Sequence, residues 1–320
     1  MSAPIALTCG EPAGIGPEIA VEAWKRREHS RPFFWIGDPD HLPAHTQITL
    51  LSDPAEAADA AHFPVLKHPF PGAATPGLPD PRNAPAVIDV IARAVELVQS
   101  GQASAICTAP IHKKALQDGA DFAYPGHTEY LAALAGTQRV VMMLAAPELR
   151  VVPATIHIPL ADVPSALTAD LLEQTIRITH AAMIRDFGLA KPRLAVAGLN
   201  PHGGEGGAMG REEITMITPL LDRLRAEGLA LTGPLSADTM FHPSARAGYD
   251  AAICMYHDQA LIPIKTIDFA GGVNVTLGLP FVRTSPDHGT AFDIAGQGRA
   301  DPTSLVAALD MAAEMADARG

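Results

Sequence analysis

The sequence predicts an α/β protein with a mostly parallel sheet covered by helices. Two observations indicate this class. Short apolar runs typical of buried strands alternate along the chain with longer stretches of helical periodicity. Several of these runs end abruptly in polar residues, as strands do where open α/β sheets build their sites. The length of 320 residues fits two domains or one large α/β unit.

The first elements follow this alternation. Residues 4–9 predict a buried strand, and residues 10–26 a Gly-rich turn that runs into a helix with Pro17 in its first turn. The turn lacks the Lys-Ser/Thr of a P-loop and the spacing of the dinucleotide fingerprint. Its glycines therefore indicate close packing of strand and helix, while Glu11 at its tip stays a candidate site residue.

The next elements continue the pattern up to residue 121. Thr108 and Lys113 follow a buried strand, so they are predicted at the same sheet edge as the Gly-rich turn. Gly101 is expected to end the helix before that strand. The predicted elements are strands at 33–37, 48–51 and 104–108, an irregular stretch at 68–85, and helices at 86–100 and from residue 112 on.

The middle of the chain predicts a change of sheet pattern. Residues 139–160 alternate strongly and indicate an antiparallel pair with a turn at 146–148. Before them, Thr128 is a candidate helix N-cap, and His127 is either structural or an anion contact at that helix N-terminus. The later predicted elements are helices at 169–187 and 212–227 and strands at 193–198 and 251–256.

Composition and charge exclude some classes of function. The formal net charge of −12 argues against nucleic acid or an anionic membrane as the main partner. No apolar run approaches the roughly 18 residues of a membrane span, and the N-terminus has no basic region typical of a signal peptide. The 3 cysteines lie in apolar runs, which indicates packed thiols in a reducing cytoplasm.

Three of the 13 histidines share one placement in the sequence. His157, His202 and His257 each follow an apolar strand, and their long separations mean that the fold would have to assemble any shared site. Three neutral imidazoles with an open position suit a divalent ion acting as a Lewis acid. Asp238 and Asp258 could orient the imidazoles; the alternative is three ordinary structural histidines.

Residues 251–295 concentrate further polar groups among apolar ones. Lys265 and Arg283 are permanent cations, with Asn274 between them, and Asp287-His288-Gly289-Thr290 follow. In an acidic protein, an anionic substrate needs such a local cationic pocket. The alternative is a surface loop and a hairpin with ordinary charges.

Six motifs follow one another along nearly the whole chain: GEPAGIGPEI, YPGHTEYLA, LNPHGGEGGAMGREE, GPLSADTMF, MYHDQALIPIKT and GGVNVTLGLPFVRTSPDHGTAFDIAGQG. In this order they resemble the 4-hydroxythreonine-4-phosphate dehydrogenase family of pyridoxine biosynthesis. The last motif also resembles the cofactor loop of isocitrate and isopropylmalate dehydrogenases, which carry no Rossmann fingerprint.

The resemblance implies a role for each motif residue, and no departure from the family pattern is found at these positions. One divalent ion (Zn²⁺, Co²⁺ or Mg²⁺) is expected on His157, His202 and His257. The substrate is expected on His127, Thr128, Lys265, Asn274 and Arg283. NAD or NADP is expected on His288, Gly289 and Thr290.

The resemblance also implies an isocitrate/isopropylmalate dehydrogenase-like fold of two α/β domains with a cleft between them. The expected domains are residues 1–132 with 268–320, carrying the cofactor loop, and residues 133–267, carrying the metal ligands. A homodimer with shared active sites is expected. Asp238, Asp258 and Lys113 are the candidate general bases for oxidation of the substrate followed by decarboxylation.

Three other functions fit parts of this pattern. A related dehydrogenase of a four-carbon sugar acid phosphate would share the motifs, so only a substrate panel distinguishes it. A phosphate acyltransferase of the same superfamily fold would need neither the nicotinamide nor the three histidines. A metal-dependent binding protein without turnover is the third alternative.

Overall fold

A computed structural model of the chain describes residues 3–26 and 31–320. The strands of these residues are, in chain order, β1 (Ile5–Thr8), β2 (Phe33–Gly37), β3 (Ile48–Leu50), β4 (Phe63–Lys67), β5 (Ala105–Thr108), β6 (Val141–Ala146), β7 (Leu149–Pro153), β8 (Arg193–Ala197), β9 (Ala230–Leu235), β10 (Ala251–Cys254), β11 (Val273–Leu277) and β12 (Val282–Pro286). The helices are α1 (Gly16–Lys25), α2 (Ala84–Gln99), α3 (Lys113–Ala120), α4 (His127–Leu134), α5 (Val163–Ala166), α6 (Ala169–Arg185), α7 (Thr218–Ala226), α8 (Pro243–Arg246), α9 (His257–Ile267) and α10 (Thr303–Arg319).

The chain divides into two compact units. Unit 1 comprises residues 1–140 and 279–318 with Gly320, and unit 2 comprises residues 141–278 with Arg319. The domain boundaries expected from the sequence stay a prediction. No helix within the described ranges is long and apolar enough to cross a membrane.

Unit 1 contains a parallel sheet in the strand order β3-β4-β2-β1-β5-β12. β1 and β2 are buried along their whole length, which explains their continuous apolar sequences. Trp35 and Phe63 pack with ring centroids 6.2 Å apart in this core. The carboxyl ends of β1, β5 and β12 therefore lie side by side at one edge of the sheet.

A second apolar cluster of unit 1 sets the position of α4. Val87 of α2 and Leu116 of α3 are buried together with Phe122. Tyr124 and Tyr130 pack on this cluster, and their rings lie 5.1 Å apart. Because Tyr130 belongs to α4, these contacts hold the helix that begins at His127.

Unit 2 contains a mixed sheet in the strand order β11-β6-β7-β10-β8-β9. β11, β6 and β7 pair antiparallel, whereas β7, β10, β8 and β9 pair parallel. Helix α9 buries Ala260, Leu261 and Ile264 against residues of β6, β7, β8 and β10. The four parallel strands thus present their carboxyl ends at a common edge.

Most predicted elements are confirmed, with differences of a few residues at their ends. The antiparallel pair is β6 and β7, and Gly101 follows α2 with φ +78°, as a helix-ending glycine does. The prediction that Thr128 caps a helix was wrong, because Gly126 is the N-cap and Thr128 lies inside the first turn. The helix expected at 212–227 begins as a π-helical segment, Glu213–Ile217, before α7.

Candidate functional site

Four candidate residues of unit 2 lie beyond the carboxyl ends of its four parallel strands. His157 follows β7, His257 follows β10, His202 follows β8 and Asp238 follows β9. Since these strands are neighbours in the sheet, the residues share one edge of unit 2. Open α/β sheets build binding sites at this edge.

His157 and His257 lie together at this edge. Their ring centroids are 5.6 Å apart, a separation that two ligands with metal–nitrogen bonds of about 2.1 Å can have. The Nδ1 atom of His257 lies 2.7 Å from Oδ1 of Asp258. A carboxylate bound to Nδ1 leaves Nε2 as the nitrogen that can bind a metal, and fixes the orientation of the ring.

His202 lies in a glycine-rich loop that a buried acid holds. His202 has a left-handed φ of 53°, and a run of left-handed residues follows it up to Gly207. Glu213 is 3% exposed, and its carboxylate accepts hydrogen bonds from the backbone and side-chain N–H groups of Asn200 at 2.8 and 3.0 Å. Asn200, two residues before His202, is therefore held in place by a buried carboxylate.

Asp238 lies in the electrostatic neighbourhood of His202. The pKa of Asp238 is lowered mainly because Ser236 donates a hydrogen bond to it at 2.5 Å, and a smaller part comes from His202. Among the residues that the structure describes, no three His, Cys, Asp or Glu side chains gather in a group that could hold a metal ion. The structure brings His157 and His257 together, and the loop that carries His202 follows the neighbouring strand β8.

These residues fit a divalent ion by their chemistry. Imidazole nitrogen is a preferred donor for Zn²⁺ and Co²⁺, and Asp258 supplies the outer hydrogen bond that metal-binding histidines use. His157, like His202, has a left-handed φ, here 47°. Such backbone conformations in non-glycine residues are costly and concentrate at functional sites.

In unit 1, Arg283 is a buried cation at the sheet edge. It lies in β12 beside β5, is 3% exposed, and its Nη2 donates to Oγ1 of Thr108 at 2.7 Å. Burial lowers the pKa of the guanidinium to about 10. Burying a guanidinium is unfavourable unless anionic partners or hydrogen bonds compensate for the lost water, and the bond to Thr108 is one such hydrogen bond.

His127 and Lys113 lie close to that guanidinium. Burial, and then the charges of Arg283 and Lys113, hold the pKa of His127 well below its usual range. A side chain at Gly126 would meet Lys113 Nζ at 3.5 Å, so the start of α4 lies against the Lys113 ammonium. Nε2 of His127 is buried with no hydrogen-bond partner among the described residues.

These groups can bind a phosphate or carboxylate of a substrate. Two cations converge with an imidazole nitrogen and the free N–H groups of the first turn of α4, where Thr128 lies. Helix dipole, cations and hydrogen-bond donors all favour negative charge there. Three of the substrate residues predicted from the sequence lie here in unit 1. Arg283 and His127 belong to this group, and Thr128 lies in the first turn of α4.

The predicted cofactor turn, residues 288–290, lies against the Gly-rich turn of unit 1. The backbone N–H of Ile15 donates to the carbonyl of Thr290 at 3.0 Å. A side chain at Gly14 would lie 2.9 Å from that same oxygen, so only glycine permits this approach. Nδ1 of His288 donates to the carbonyl of Gly289 at 3.0 Å.

The unused nitrogen of His288 fits a cofactor. Because Nδ1 carries the proton, Nε2 is an acceptor, and it is buried without a hydrogen-bond partner in the described part of the chain. Buried polar atoms are normally paired, so a ligand donor is a physical explanation for this one. Hydroxyl and amino groups of a nicotinamide dinucleotide are such donors.

The two remaining substrate candidates lie in unit 2. Lys265 is in α9, with its ammonium 5.5 Å from the centroid of the Phe269 ring. Asn274 is in β11, opposite Leu144 of β6. Both side chains are partly exposed.

Two acids of unit 1 lie near the Gly-rich turn: Glu11, a candidate from the sequence, and Glu18, which the sequence analysis did not single out. Glu11 is 4% exposed and accepts from the backbone N–H of Ala13 at 3.1 Å, and burial is the main reason that its pKa is raised. Glu18 accepts from the backbone N–H of Gly296 at 3.1 Å. This bond ties α1 to Gly296, which follows the predicted cofactor turn. No local sequence pattern could have shown it, because 278 residues separate the two partners.

Known proteins resemble this chain over its full length. The family model described as pyridoxal phosphate biosynthetic protein PdxA matches residues 28–312. A 4-hydroxythreonine-4-phosphate dehydrogenase from Paracoccus denitrificans is 65% identical, over 99% of this chain and 98% of that protein. The crystal structure of the enzyme of that name from Klebsiella pneumoniae is 37% identical, with a TM-score of 0.90, over 98% of this chain and 100% of the other.

A more distant likeness concerns the fold alone. A β-decarboxylating dehydrogenase from Thermococcus kodakarensis matches with a TM-score of 0.50 at 12% identity, over 95% of this chain and 81% of the other. The expected α/β fold class is confirmed, and the distant likeness is to a structure described as a β-decarboxylating dehydrogenase. The chain belongs to the PdxA family of pyridoxal phosphate biosynthetic proteins.

Proposed function

We propose that the protein is a 4-hydroxythreonine-4-phosphate dehydrogenase of pyridoxal 5′-phosphate biosynthesis. It oxidises 4-phosphooxy-L-threonine to 2-amino-3-oxo-4-phosphooxybutanoate, which decarboxylates to 3-amino-2-oxopropyl phosphate. The hydride from C3 goes to NAD⁺ or NADP⁺, and the hydroxyl proton goes to a base. The observation that carries the proposal is the full-length relationship to enzymes of this name, together with the cationic group of unit 1.

The substrate's negative groups match the cations of the chain. In unit 1, the guanidinium of Arg283 and the ammonium of Lys113 supply two positive charges near His127. A guanidinium recognises phosphate or carboxylate through paired N–H donors, whereas an ammonium acts as a point charge. Lys265 and Asn274 of unit 2 are the other proposed substrate residues.

The proposed metal ligands are His157, His202 and His257. When bound, a divalent ion acts as a Lewis acid that lowers the pKa of a substrate hydroxyl and stabilises the charge left as CO₂ departs. His257 presents its Nε2 because Asp258 occupies Nδ1. Since His202 lies on a loop beside this pair, a ligand set of three requires this loop to turn its imidazole toward the other two.

Three residues are candidates for the base that accepts the hydroxyl proton. Asp258 is bound to His257, and Asp238 is bound to Ser236. Lys113 lies in the electrostatic neighbourhood of His127. Single replacement of each, with pH profiles of kcat and kcat/KM, distinguishes a base from an orienting group.

We further propose a homodimer in the cytoplasm. Unit 2 exposes large apolar side chains, which monomeric proteins usually bury: Ile158, Leu160, Ile262 and Phe269 are 40, 70, 62 and 80% exposed. Sedimentation equilibrium tests the dimer. The three cysteines are buried free thiols, which supports a reducing compartment.

The experiment that tests the function is a coupled assay of the purified protein. With phosphooxythreonine, NAD⁺ or NADP⁺ and a divalent ion, the assay should record NAD(P)H and CO₂ in equal amounts. A chelator should abolish both and added Co²⁺ or Zn²⁺ should restore them. Turnover of a four-carbon sugar acid phosphate in place of phosphooxythreonine would favour the related dehydrogenase, and acyl transfer without NAD(P)H would favour the acyltransferase.

A further inference from the structure

A chain of buried hydrogen bonds joins the three histidine-bearing segments of unit 2. Thr155, two residues before His157, donates its hydroxyl to the carbonyl of Met255 at 2.8 Å. Met255 lies two residues before His257, and its N–H donates to Oε1 of Gln259 at 2.7 Å. Thus the end of β7 is tied to the end of β10.

Gln259 continues this chain to the third segment. Its Nε2 donates to the carbonyl of Gly198 at 2.8 Å, and Gly198 directly follows β8, the strand that leads to His202. Asn200, two residues further, is held by Glu213. Gln259 is therefore the side chain that connects the strand end before His257 with the strand end before His202.

Burial makes these bonds rigid and hard to replace. Gln259 is 8% exposed and Thr155 is 5% exposed, while Met255 is 0% exposed. Water has little access to a carbonyl or N–H that loses its partner there, so each broken bond leaves an unsatisfied group. A glutamine is suited to this place because its amide accepts from one strand end and donates to the next.

We propose that Gln259 is a positioning residue for the metal site, fixing the separation of the His257 and His202 segments. This inference rests on the proposed function, because it assumes that the three histidines bind one ion. Gln259 itself touches backbone atoms of Met255 and Gly198. It acts through them, as outer hydrogen bonds set the geometry of metal ligands.

The test measures Co²⁺ binding to the metal-free protein, by visible absorption and by calorimetry, in several variants. Gln259→Leu removes both hydrogen bonds, and Gln259→Glu keeps the shape and the acceptor but loses the donor. Both should weaken Co²⁺ binding by about 10- to 100-fold and change the absorption spectrum. Should Gln259→Leu fail to fold, Gln259→Glu and Thr155→Val carry the test.

Asn83→Ala in unit 1 is the control for lost stability. Asn83 is 2% exposed, and its Oδ1 accepts from the backbone N–H of Gly72 at 2.8 Å. This variant should lower the melting temperature but leave the Co²⁺ affinity within about twofold, since Asn83 has no part in the hydrogen bonds that join the histidine segments. Gln259 variants that bind Co²⁺ like the wild type, or no more weakly than Asn83→Ala, overturn the positioning role.

A His202→Ala variant separates this inference from the proposed function. If the wild type binds one Co²⁺ tightly and His202→Ala does not, the metal site stands and the Gln259 variants decide the inference. If the wild type and His202→Ala bind alike, the three-histidine site is refuted, and the positioning role with it.

Discussion

Replacing Arg283 by lysine tests whether the cationic group of unit 1 binds the substrate. The guanidinium is buried, and its Nη2 donates to Oγ1 of Thr108, so its planar donor groups are held in place at the sheet edge. Lysine keeps a positive charge but offers one compact donor group, so it cannot hold Thr108 and a paired anion contact together. Burial also favours loss of the lysine proton.

The expected magnitude follows from the bonds that are lost. A hydrogen bond to a charged group contributes about 1.5–3 kcal/mol, which corresponds to a fall of about 10- to 150-fold in kcat/KM. The fall should appear in the KM for the phosphorylated substrate, with the KM for NAD(P)⁺ little changed. Steady-state kinetics with each substrate varied in turn measures it.

A matched control is available in the same unit. Arg82 pairs with Asp80 on the surface, with its side chain 72% exposed, so Arg82→Lys should leave both KM values unchanged. An Arg283→Lys variant with the substrate KM of the wild type, or with an equal rise in both KM values, would refute the reasoning. Circular dichroism and melting curves confirm that each variant is folded.

Three further predictions concern other residues. Because the pKa of His127 is lowered in the folded protein, the unfolded chain takes up a proton there first as the pH falls. The free energy of unfolding should therefore fall by at most about 1.4 kcal/mol per pH unit below about pH 6.5. His127→Asn should flatten this fall in denaturant titrations. His288→Ala should raise the KM for NAD(P)⁺ severalfold and leave Co²⁺ affinity unchanged, and an unchanged KM would contradict the cofactor assignment. Gly204→Ala, whose methyl group would lie 2.6 Å from Glu213, should weaken Co²⁺ binding, whereas Gly206→Ala, with open space and a similar φ, should not.

The sequence predicted most of the fold because buried parallel strands are continuous apolar runs. β1, β2, β5, β8 and β10 all have this form and were predicted within two residues. β9 was missed because it contains Gly233 and Pro234, which argue against a strand. It tolerates them as the edge strand of unit 2, a position that only the assembled sheet defines.

The candidate site was predictable where it follows strand ends. His157, His202 and His257 were placed by that rule, and the parallel pairing of β7, β10 and β8 brings their segments to one edge. The supporting bonds were not predictable, because they join residues that are distant in sequence. Gln259 and Gly198, for example, are 61 residues apart.

The two units have complementary chemistry for one kind of substrate. Unit 2 offers imidazoles and carboxylates, which suit a cation, whereas Arg283 and Lys113 of unit 1 form a cationic group in a chain with a net charge of −12. An acidic protein repels a phosphorylated acid unless such a group binds it locally. Under the proposed function, the cationic group selects phosphorylated hydroxy acids, and the imidazoles select those with a hydroxyl that a bound metal would activate.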